Sequence, residues 1–151
     1  MIGYFVDVTD IYYKVNRKFG AKVDYNAYLG LHEDLIAYAY CSQRAPGFLA
    51  CLREAGFEPK IKRPKIIKIN GREIKHCDWG VTICMDVINK LNDLDVVVLG
   101  VSNPDYIPLI QYCKDCGVKV IVHACCVPDS IRKIADDVHE ISEEELEDDE
   151  G

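Results

Sequence analysis

Two short runs of β-branched residues constrain the fold of this chain more than any other feature of its sequence. One covers residues 95–101, and the other covers residues 118–123. Almost continuous apolar runs of this length predict strands that are buried on both faces, as in parallel sheets covered by helices. A helix is predicted between them, over residues 107–116, with Pro108 tolerated in its first turn.

The rest of the chain continues this alternation of strands and helices. Further strands are predicted over residues 3–8, 35–41 and 138–141, and further helices over residues 10–19, 25–31, 46–55, 78–91 and 129–135. Asn70-Gly71 is a strong hairpin-turn signal between two extended segments, residues 57–69 and 72–75. The pattern predicts an α/β fold, in which helices cover both faces of a mainly parallel, twisted sheet as a three-layer αβα domain. We expect one domain over residues 1–142.

The size and composition of the chain exclude several classes of protein. A length of 151 residues with 49% apolar and 28% charged residues is ordinary for one globular domain, and it excludes collagen, coiled coil and disorder throughout. The longest purely aliphatic stretch, residues 96–101, is far shorter than the ~18 residues that a membrane helix needs. The first ten residues have no basic segment typical of a signal peptide. We therefore expect a cytoplasmic protein without membrane association.

Charge is distributed unevenly along the chain. Residues 140–151 carry eight acidic side chains, whereas residues 1–139 carry 17 acidic and 18 basic ones. We call residues 143–151 the acidic tail, and we expect it to be disordered. The alternative is that it mimics nucleic acid and folds back on residues 58–75. We call residues 58–75 the basic ribbon, which suits a phosphate backbone or, alternatively, is a hairpin that its lysines keep soluble. The candidate nucleic-acid-binding residues of the ribbon are Lys60, Lys62, Arg63, Lys65, Lys68, Arg72 and Lys75.

Eight cysteines raise the questions of disulfides and of zinc. The pairs Cys113-x-x-Cys116 and Cys125-Cys126 flank the strand predicted over residues 118–123. That strand spans about 20 Å, so the two pairs are expected at its opposite ends, too far apart to share one zinc ion. We therefore expect free thiols in a chain of this kind.

Several carboxylates follow predicted strand ends or begin a predicted helix. The candidates are Asp7 and Asp10, then Ser102, Asn103 and Asp105, and finally Asp78 and Asp86 on the helix over residues 78–91. Each aspartate alone could serve only as a helix cap. Several at the carboxyl edge of one parallel sheet, where ligands bind, point instead to a hard cation such as Mg²⁺ or Mn²⁺. We therefore expect Asp7, Asp78 and Asp105 to converge on one acidic pocket.

Five segments together resemble a known family. They are FVDVTDIYY (5–13), KHCDWGVTICMDVI (75–88), VVVLGVSNPDYIPLI (96–110), GVKVIVHA (117–124) and IRKIADDVHEIS (131–142). In order and spacing they resemble the NYN domain of LabA-like proteins, within the PIN-like nuclease superfamily. The resemblance implies a metal-dependent nuclease, most readily an endoribonuclease, whose partner is RNA or, as the alternative, single-stranded DNA. By family analogy it also allows a homo-oligomer.

The resemblance assigns roles to the candidate residues. Asp7, Asp78 and Asp105 would be the catalytic residues and the ligands of Mg or Mn, and the supporting residues would be Asp10, Asp86, Asn103 and Ser102. Two positions depart from the family pattern: Asn103 stands where the family has an aspartate, and Asp10 stands where it has an asparagine. Either Asp10 compensates for the charge missing at Asn103, or catalysis is lost and the protein is an RNA-binding or protein-interaction module.

Aromatic and histidine residues supply weaker candidates. Trp79 and Tyr106 flank the proposed site, where they are either core aromatics or platforms for stacking bases. Four histidines are scattered among different predicted elements, and of these His76 lies near Asp78. The sequence contains no glycine-rich phosphate loop, which argues against a nucleotide cofactor.

Overall fold

The computed structural model describes residues 1–30, 32–42, 45–62, 65–76 and 78–148. Within these residues the strands are β1 (Ile2–Asp7), β2 (Leu35–Cys41), β3 (Glu58–Ile61), β4 (Lys65–Ile69), β5 (Arg72–His76), β6 (Val96–Gly100), β7 (Lys119–Ala124) and β8 (Asp137–Glu140). The α-helices are α1 (Val8–Phe19), α2 (Tyr25–Leu29), α3 (Pro46–Ala55), α4 (Gly80–Lys90), α5 (Ile107–Asp115) and α6 (Asp129–Arg132). Short 3₁₀ helices follow at Leu91–Asp93, Pro104–Tyr106 and Glu143–Glu145.

The described strands form a parallel six-stranded sheet in the order β3-β2-β1-β6-β7-β8. The chain builds outward from β1 to β3, and then it returns to the other side of β1 and builds outward again from β6. The strand order therefore reverses between β1 and β6, and their carboxyl ends open the crevice where ligands bind in such sheets. Register places Val6 opposite Gly100, so the residues that follow both strands emerge side by side.

Helices cover both faces of this sheet, which confirms the predicted three-layer αβα fold. Phe5 and Leu99 point into one core layer under α4 and α5, and Val6 and Val98 point into the other under α1 and α3. Adjacent residues of a strand face opposite sides, so a continuous apolar run fills both layers at once.

The extended segment predicted over residues 57–69 is two strands, not one. β3 joins the main sheet in parallel with β2, whereas β4 pairs only with β5 in a separate antiparallel hairpin. The hairpin turn is confirmed: Asn70 and Gly71 both have positive φ, 52° and 76°, as a type I′ turn requires. Every residue of β4 is exposed.

The beginning of the acidic tail is ordered, which differs from the expected disorder. The backbone N–H of Asp24 donates to the carbonyl of Glu145 at 2.8 Å, and that of Glu147 donates to the carbonyl of Lys22 at 2.8 Å. Leu146 forms an antiparallel bridge with Val23, and the side chain of Glu145 is buried. Residues 22–24 thus supply backbone hydrogen-bond partners for this segment. The composition of the tail alone does not reveal these partners. Residues 149–151 lie outside the described residues.

The cysteines that the structure describes are free thiols, as predicted. Cys113 and Cys125 are buried, and Cys77 lies outside the described residues. Among the described helices, none combines the length and the apolar character needed to cross a membrane.

Candidate active site

Carboxylates line a cavity at the carboxyl ends of β1 and β6. Its volume is about 560 Å³, and its acidic lining residues are Asp7, Asp10, Asp78 and Asp105, joined by Asn103. These residues come from three separate parts of the chain: the β1–α1 junction, the approach to α4 and the turn after β6. The reversal of strand order brings the three parts to one place.

Asp7 is a half-buried carboxylate of this cavity. It ends β1 and caps α1, where its Oδ1 accepts a hydrogen bond from the backbone N–H of Asp10 at 3.1 Å. Burial raises the pKa of Asp7 to about 6, and the charges of Asp10 and Asp78 contribute to that rise. The charge of Lys14 and the hydrogen bond from Asp10 act in the opposite direction. A carboxylate desolvated among other acids favours a nearby cation.

Lys14 is a functional candidate that the sequence analysis missed. Its Nζ lies 3.2 Å from Oδ2 of Asp10, one turn earlier on α1, and it also donates a hydrogen bond to Oγ of Ser102. Ser102 is buried, and its hydroxyl donates to Asp10 at 3.3 Å. These contacts fix α1 to the turn after β6. The i,i+4 spacing of Asp10 and Lys14 was the signal in the sequence that could have identified Lys14.

Asp78 lies at the entrance to the cavity, just before α4. Its Oδ1 accepts a hydrogen bond from the backbone N–H of Gly80 at 2.8 Å. A Cβ at position 80 would lie 3.1 Å from that oxygen, so glycine leaves the room that the carboxylate occupies. Lys62 donates to the carbonyl of Asp78, and its Nζ lies 4.4 Å from the ring centroid of Trp79. A cation thus stands beside the acidic cavity.

Trp79 and Tyr106 are core aromatics that also line the cavity. Their exposed fractions are 4% and 7%, too small to offer free faces for stacking bases. Burial is the main cause that raises the pKa of Tyr106, and the nearby charges of Asp7, Cys84 and Asp78 raise it further. Nε1 of Trp79 is buried and has no hydrogen-bond partner among the described residues.

Asn103 has a local structural role. Its Oδ1 accepts a hydrogen bond from the backbone N–H of Asp105 at 2.9 Å and caps the 3₁₀ helix that follows. Aspartate would cap equally well, so this contact does not explain the missing charge. Both residues are exposed at the cavity, where their side-chain oxygens are open to solvent.

Asp86 differs from its predicted position because it does not line the cavity. Its Oδ2 accepts hydrogen bonds from the hydroxyl of Tyr40 at 2.7 Å and from Nζ of Lys60 at 2.9 Å. Lys60 was expected to bind nucleic acid, but in the structure it forms this partly buried ion pair and lies over the ring of Tyr38. Asp86 lies about two helical turns after Asp78, and its carboxylate is therefore in a different place from that of Asp78.

The other residues of the basic ribbon lie mainly on the hairpin. Lys65, Lys68 and Arg72, which we call the hairpin bases, are exposed. Lys75 lies in β5, and Arg63 is outside the described residues. Within the described residues, the ribbon therefore consists of an exposed hairpin and of two lysines on the body of the domain: Lys60, which pairs with Asp86, and Lys62, which contacts the backbone carbonyl of Asp78.

The lining of the cavity fits a hydrated hard cation. Its donors are carboxylate and amide oxygens, which Mg²⁺ and Mn²⁺ prefer. Within the described part of the chain, Asp7, Asp78 and Asp105 do not form a group whose ligand atoms all lie within 4.8 Å of one another. Mg²⁺ commonly keeps several waters and binds directly to only one or two carboxylates, so this spacing is compatible with it.

The fold and the cavity define the class of protein: a three-layer αβα domain with a carboxylate site at its topological switch point. The family model of the NYN domain matches residues 1–142, and the chain belongs to that family, within the PIN-like nuclease superfamily. The match is to NYN domains as a whole, so the LabA-like resemblance stays a prediction. A search of curated proteins found no match to this chain.

Comparison with solved structures supports the fold. The crystal structure of a protein of unknown function, VPA0982 from Vibrio parahaemolyticus RIMD 2210633, superposes with a TM-score of 0.84 and 27% identity, covering 97% of this chain and 95% of that one. A PLP-bound putative aminotransferase from Clostridium difficile 630 matches with a TM-score of only 0.31 and 15% identity, over 77% of this chain and 34% of that one. The second likeness is too low to inform either fold or function.

Proposed function

We propose that this protein is a Mg²⁺- or Mn²⁺-dependent endoribonuclease that hydrolyses phosphodiester bonds of RNA. The observation that carries the proposal is the half-buried carboxylate of Asp7, held among further acids at the switch point of an NYN domain. Keeping such a carboxylate ionised is costly unless a cation offsets its charge. Perturbed carboxylates in a cleft are typical of catalytic sites.

Asp7, Asp78 and Asp105 are the residues that would hold the cation, with Asp10 and Asn103 placed to bind its waters. A bound Mg²⁺ or Mn²⁺ would clamp the scissile phosphate and activate water for in-line attack. Asp7 is fixed by its hydrogen bond from the α1 backbone, so its carboxylate is already oriented toward the cavity.

Basic side chains near the cavity would hold the phosphates of the substrate. Lys62 stands beside Asp78, where it is placed for a phosphate next to the scissile one. The hairpin bases extend the positive surface and would neutralise further phosphates along a single strand. Lys60 takes no part in this step because Asp86 already pairs with it.

A second candidate function is an RNA-binding module without catalysis. The observation that favours it is the ion pair between Asp10 and Lys14, at 3.2 Å. The family has a negatively charged aspartate at position 103, where this chain has the neutral Asn103. Because Lys14 offsets the charge of Asp10, Asp10 only partly replaces that missing negative charge. Nucleic-acid binding through the hairpin bases would then remain without hydrolysis.

Cleavage assays test the proposal. Labelled RNA and labelled single-stranded DNA are incubated with the protein in Mn²⁺, Mg²⁺ or EDTA. We expect internal cleavage of RNA with either metal, none in EDTA, and a loss of about 100-fold or more in Asp7→Asn. Asp93→Asn, an exposed acid outside the cavity, is the matched control and should retain full activity. Absence of cleavage by the native protein in both metals would contradict the proposal.

Calorimetric titration of Mn²⁺ separates the two functions. The nuclease is expected to bind Mn²⁺ in its native form, and Asn103→Asp should change the affinity little because an added carboxylate also adds repulsion. If the native protein binds RNA but no Mn²⁺, and Asn103→Asp restores both metal binding and cleavage, the second function is correct.

A further inference from the structure

A second cavity, of about 480 Å³, lies on the sheet face that α2 covers. It shares no lining residue with the acidic cavity. Three histidines from different parts of the chain line it: His32, His123 and His139. The acidic tail supplies part of the wall through Glu144 and Glu145.

Two of these histidines are neighbours across the sheet. His123 on β7 and His139 on β8 are register partners, so their side chains project from the same face. Their ring centroids lie 4.2 Å apart. Parallel pairing thus places two imidazoles side by side, although 15 residues separate them in the chain.

Glu145 joins the two imidazoles. Its Oε2 lies 2.5 Å from Nε2 of His123, and its Oε1 lies 2.8 Å from Nε2 of His139. One nitrogen of each ring and one oxygen of the carboxylate all lie within 4.8 Å of one another. An imidazole nitrogen lies this close to a carboxylate oxygen only when a proton or a metal ion is shared between them. The three groups therefore converge on a position that suits a cation.

Surrounding contacts hold these groups in place. The ring of Tyr28 stacks on His123, with centroids 3.8 Å apart, and its hydroxyl donates to the carbonyl of His123 at 2.6 Å. Glu145 completes a capping box with Ser142, and its carbonyl accepts from the backbone of Asp24. Such contacts orient ligands before a metal binds.

We propose that His123, His139 and Glu145 bind one Zn²⁺ ion and thereby fasten the acidic tail to the sheet. Two imidazoles and one carboxylate are a ligand set typical of zinc sites that keep a fourth position for water. Zn²⁺ binds well to imidazole, whereas Mg²⁺ prefers oxygen ligands, so this site and the acidic cavity differ in their metal preference. The adjoining cavity leaves room for the fourth ligand.

Zinc titration of the EDTA-treated, dialysed full chain tests the site. We expect one equivalent to bind to the native protein by calorimetry, and Co²⁺ to give the visible absorption of a four-coordinate site. His139→Gln should weaken binding at least about 100-fold, as should Glu145→Gln. His139 is a suitable position because its side chain is 56% exposed, so the substitution perturbs folding little.

Two control variants make the test specific. His32→Gln removes a histidine of the same cavity whose Nε2 contacts the hydroxyl of Tyr4 at 3.1 Å, and it should leave zinc affinity unchanged. Asp7→Asn should also leave it unchanged, because Asp7 belongs to the other cavity. The proposal is overturned if the native protein binds no zinc, if His139→Gln binds as well as native, or if either control loses binding.

Hydrogen exchange gives an independent measurement of the tail. Zinc should slow exchange of the Glu147 amide, which donates to Lys22, and of the Asp24 amide, which donates to Glu145. Protection should be absent in His139→Gln. Unchanged exchange in the native protein at saturating zinc would refute the role of the metal in fastening the tail.

Discussion

Replacing Asp7 with asparagine should stabilise the protein while abolishing its nuclease activity. Burial is the main cause that raises the pKa of Asp7 from 3.8 to about 6 in the folded protein. Asparagine has the same shape and can accept the same hydrogen bond from the backbone of Asp10, but it carries no charge to desolvate. The substitution therefore removes a cost of folding and keeps the helix cap.

The size and pH window of this effect follow from linkage. A carboxyl group whose folded pKa is raised binds more protons when folded, so its contribution to stability falls as pH rises from 3.8 towards 6. The rise in the pKa of Asp7 from 3.8 to about 6 corresponds to at most ~3 kcal/mol of lost stability above pH 6. Because water partly screens a half-buried group, we expect Asp7→Asn to gain about 1–2 kcal/mol at pH 7.5. At pH 4 the gain should fall well below 1 kcal/mol, since the folded carboxyl is then protonated.

Thermal unfolding in EDTA, followed by circular dichroism, measures this gain. A stabilisation of 1–2 kcal/mol corresponds to a rise in Tm of about 3–6 °C at pH 7.5 for a chain of this size. The matched control is Asp105→Asn, which removes an exposed carboxylate of the same cavity and should change Tm little. Added Mn²⁺ should raise the Tm of the native protein and have little effect on Asp7→Asn.

Two outcomes would refute this reasoning. A lower Tm for Asp7→Asn in EDTA at pH 7.5 would mean that the ionised carboxylate stabilises the fold. An equal gain at pH 4 and pH 7.5 would mean that the effect does not come from the charge.

Three further predictions concern the groups around the site. Gly80→Ala should lower cleavage more than stability, because the new Cβ would lie 3.1 Å from the carboxylate of Asp78 and displace it; kcat and Tm measured on one preparation check this. Asp86→Ala should cost about 1–3 kcal/mol by urea unfolding, because it leaves the buried hydroxyl of Tyr40 without its partner, whereas RNA affinity should change little. Replacing all three hairpin bases with glutamate should abolish RNA binding and leave Tm unchanged, because these bases neutralise the charge of the RNA phosphates. Filter binding measures the RNA affinity, and an unaltered affinity would exclude the hairpin from the interface.

The choice of the hairpin bases for charge reversal depends on the structure. Lys60 looks equivalent to its neighbours in the sequence, but it pairs with Asp86 at 2.9 Å. Reversing it would place two carboxylates together and destabilise the fold. A loss of RNA binding in such a variant would therefore not identify a nucleic-acid contact.

The fold could be predicted because the information for it is local. The apolar, β-branched composition of residues 95–101 predicts a buried strand. Gly20 and Gly56 each end the preceding helix with a positive φ, as the sequence predicts. The acidic cavity could be predicted for a related reason. Parallel strands present their carboxyl ends at one edge, so residues that follow β1 and β6 must emerge near one another.

The sequence by itself thus determined the αβα fold and the family, together with the acids that follow the strands. Only the tertiary structure decided which charged groups meet: Lys14 with Asp10, Lys60 with Asp86, and Glu145 with two histidines. These contacts depend on the strand order, the strand register and the path of the tail. Those three features in turn result from the packing of the whole chain. A local pattern specifies how a segment folds, but the partner of a side chain depends on segments that are distant in sequence.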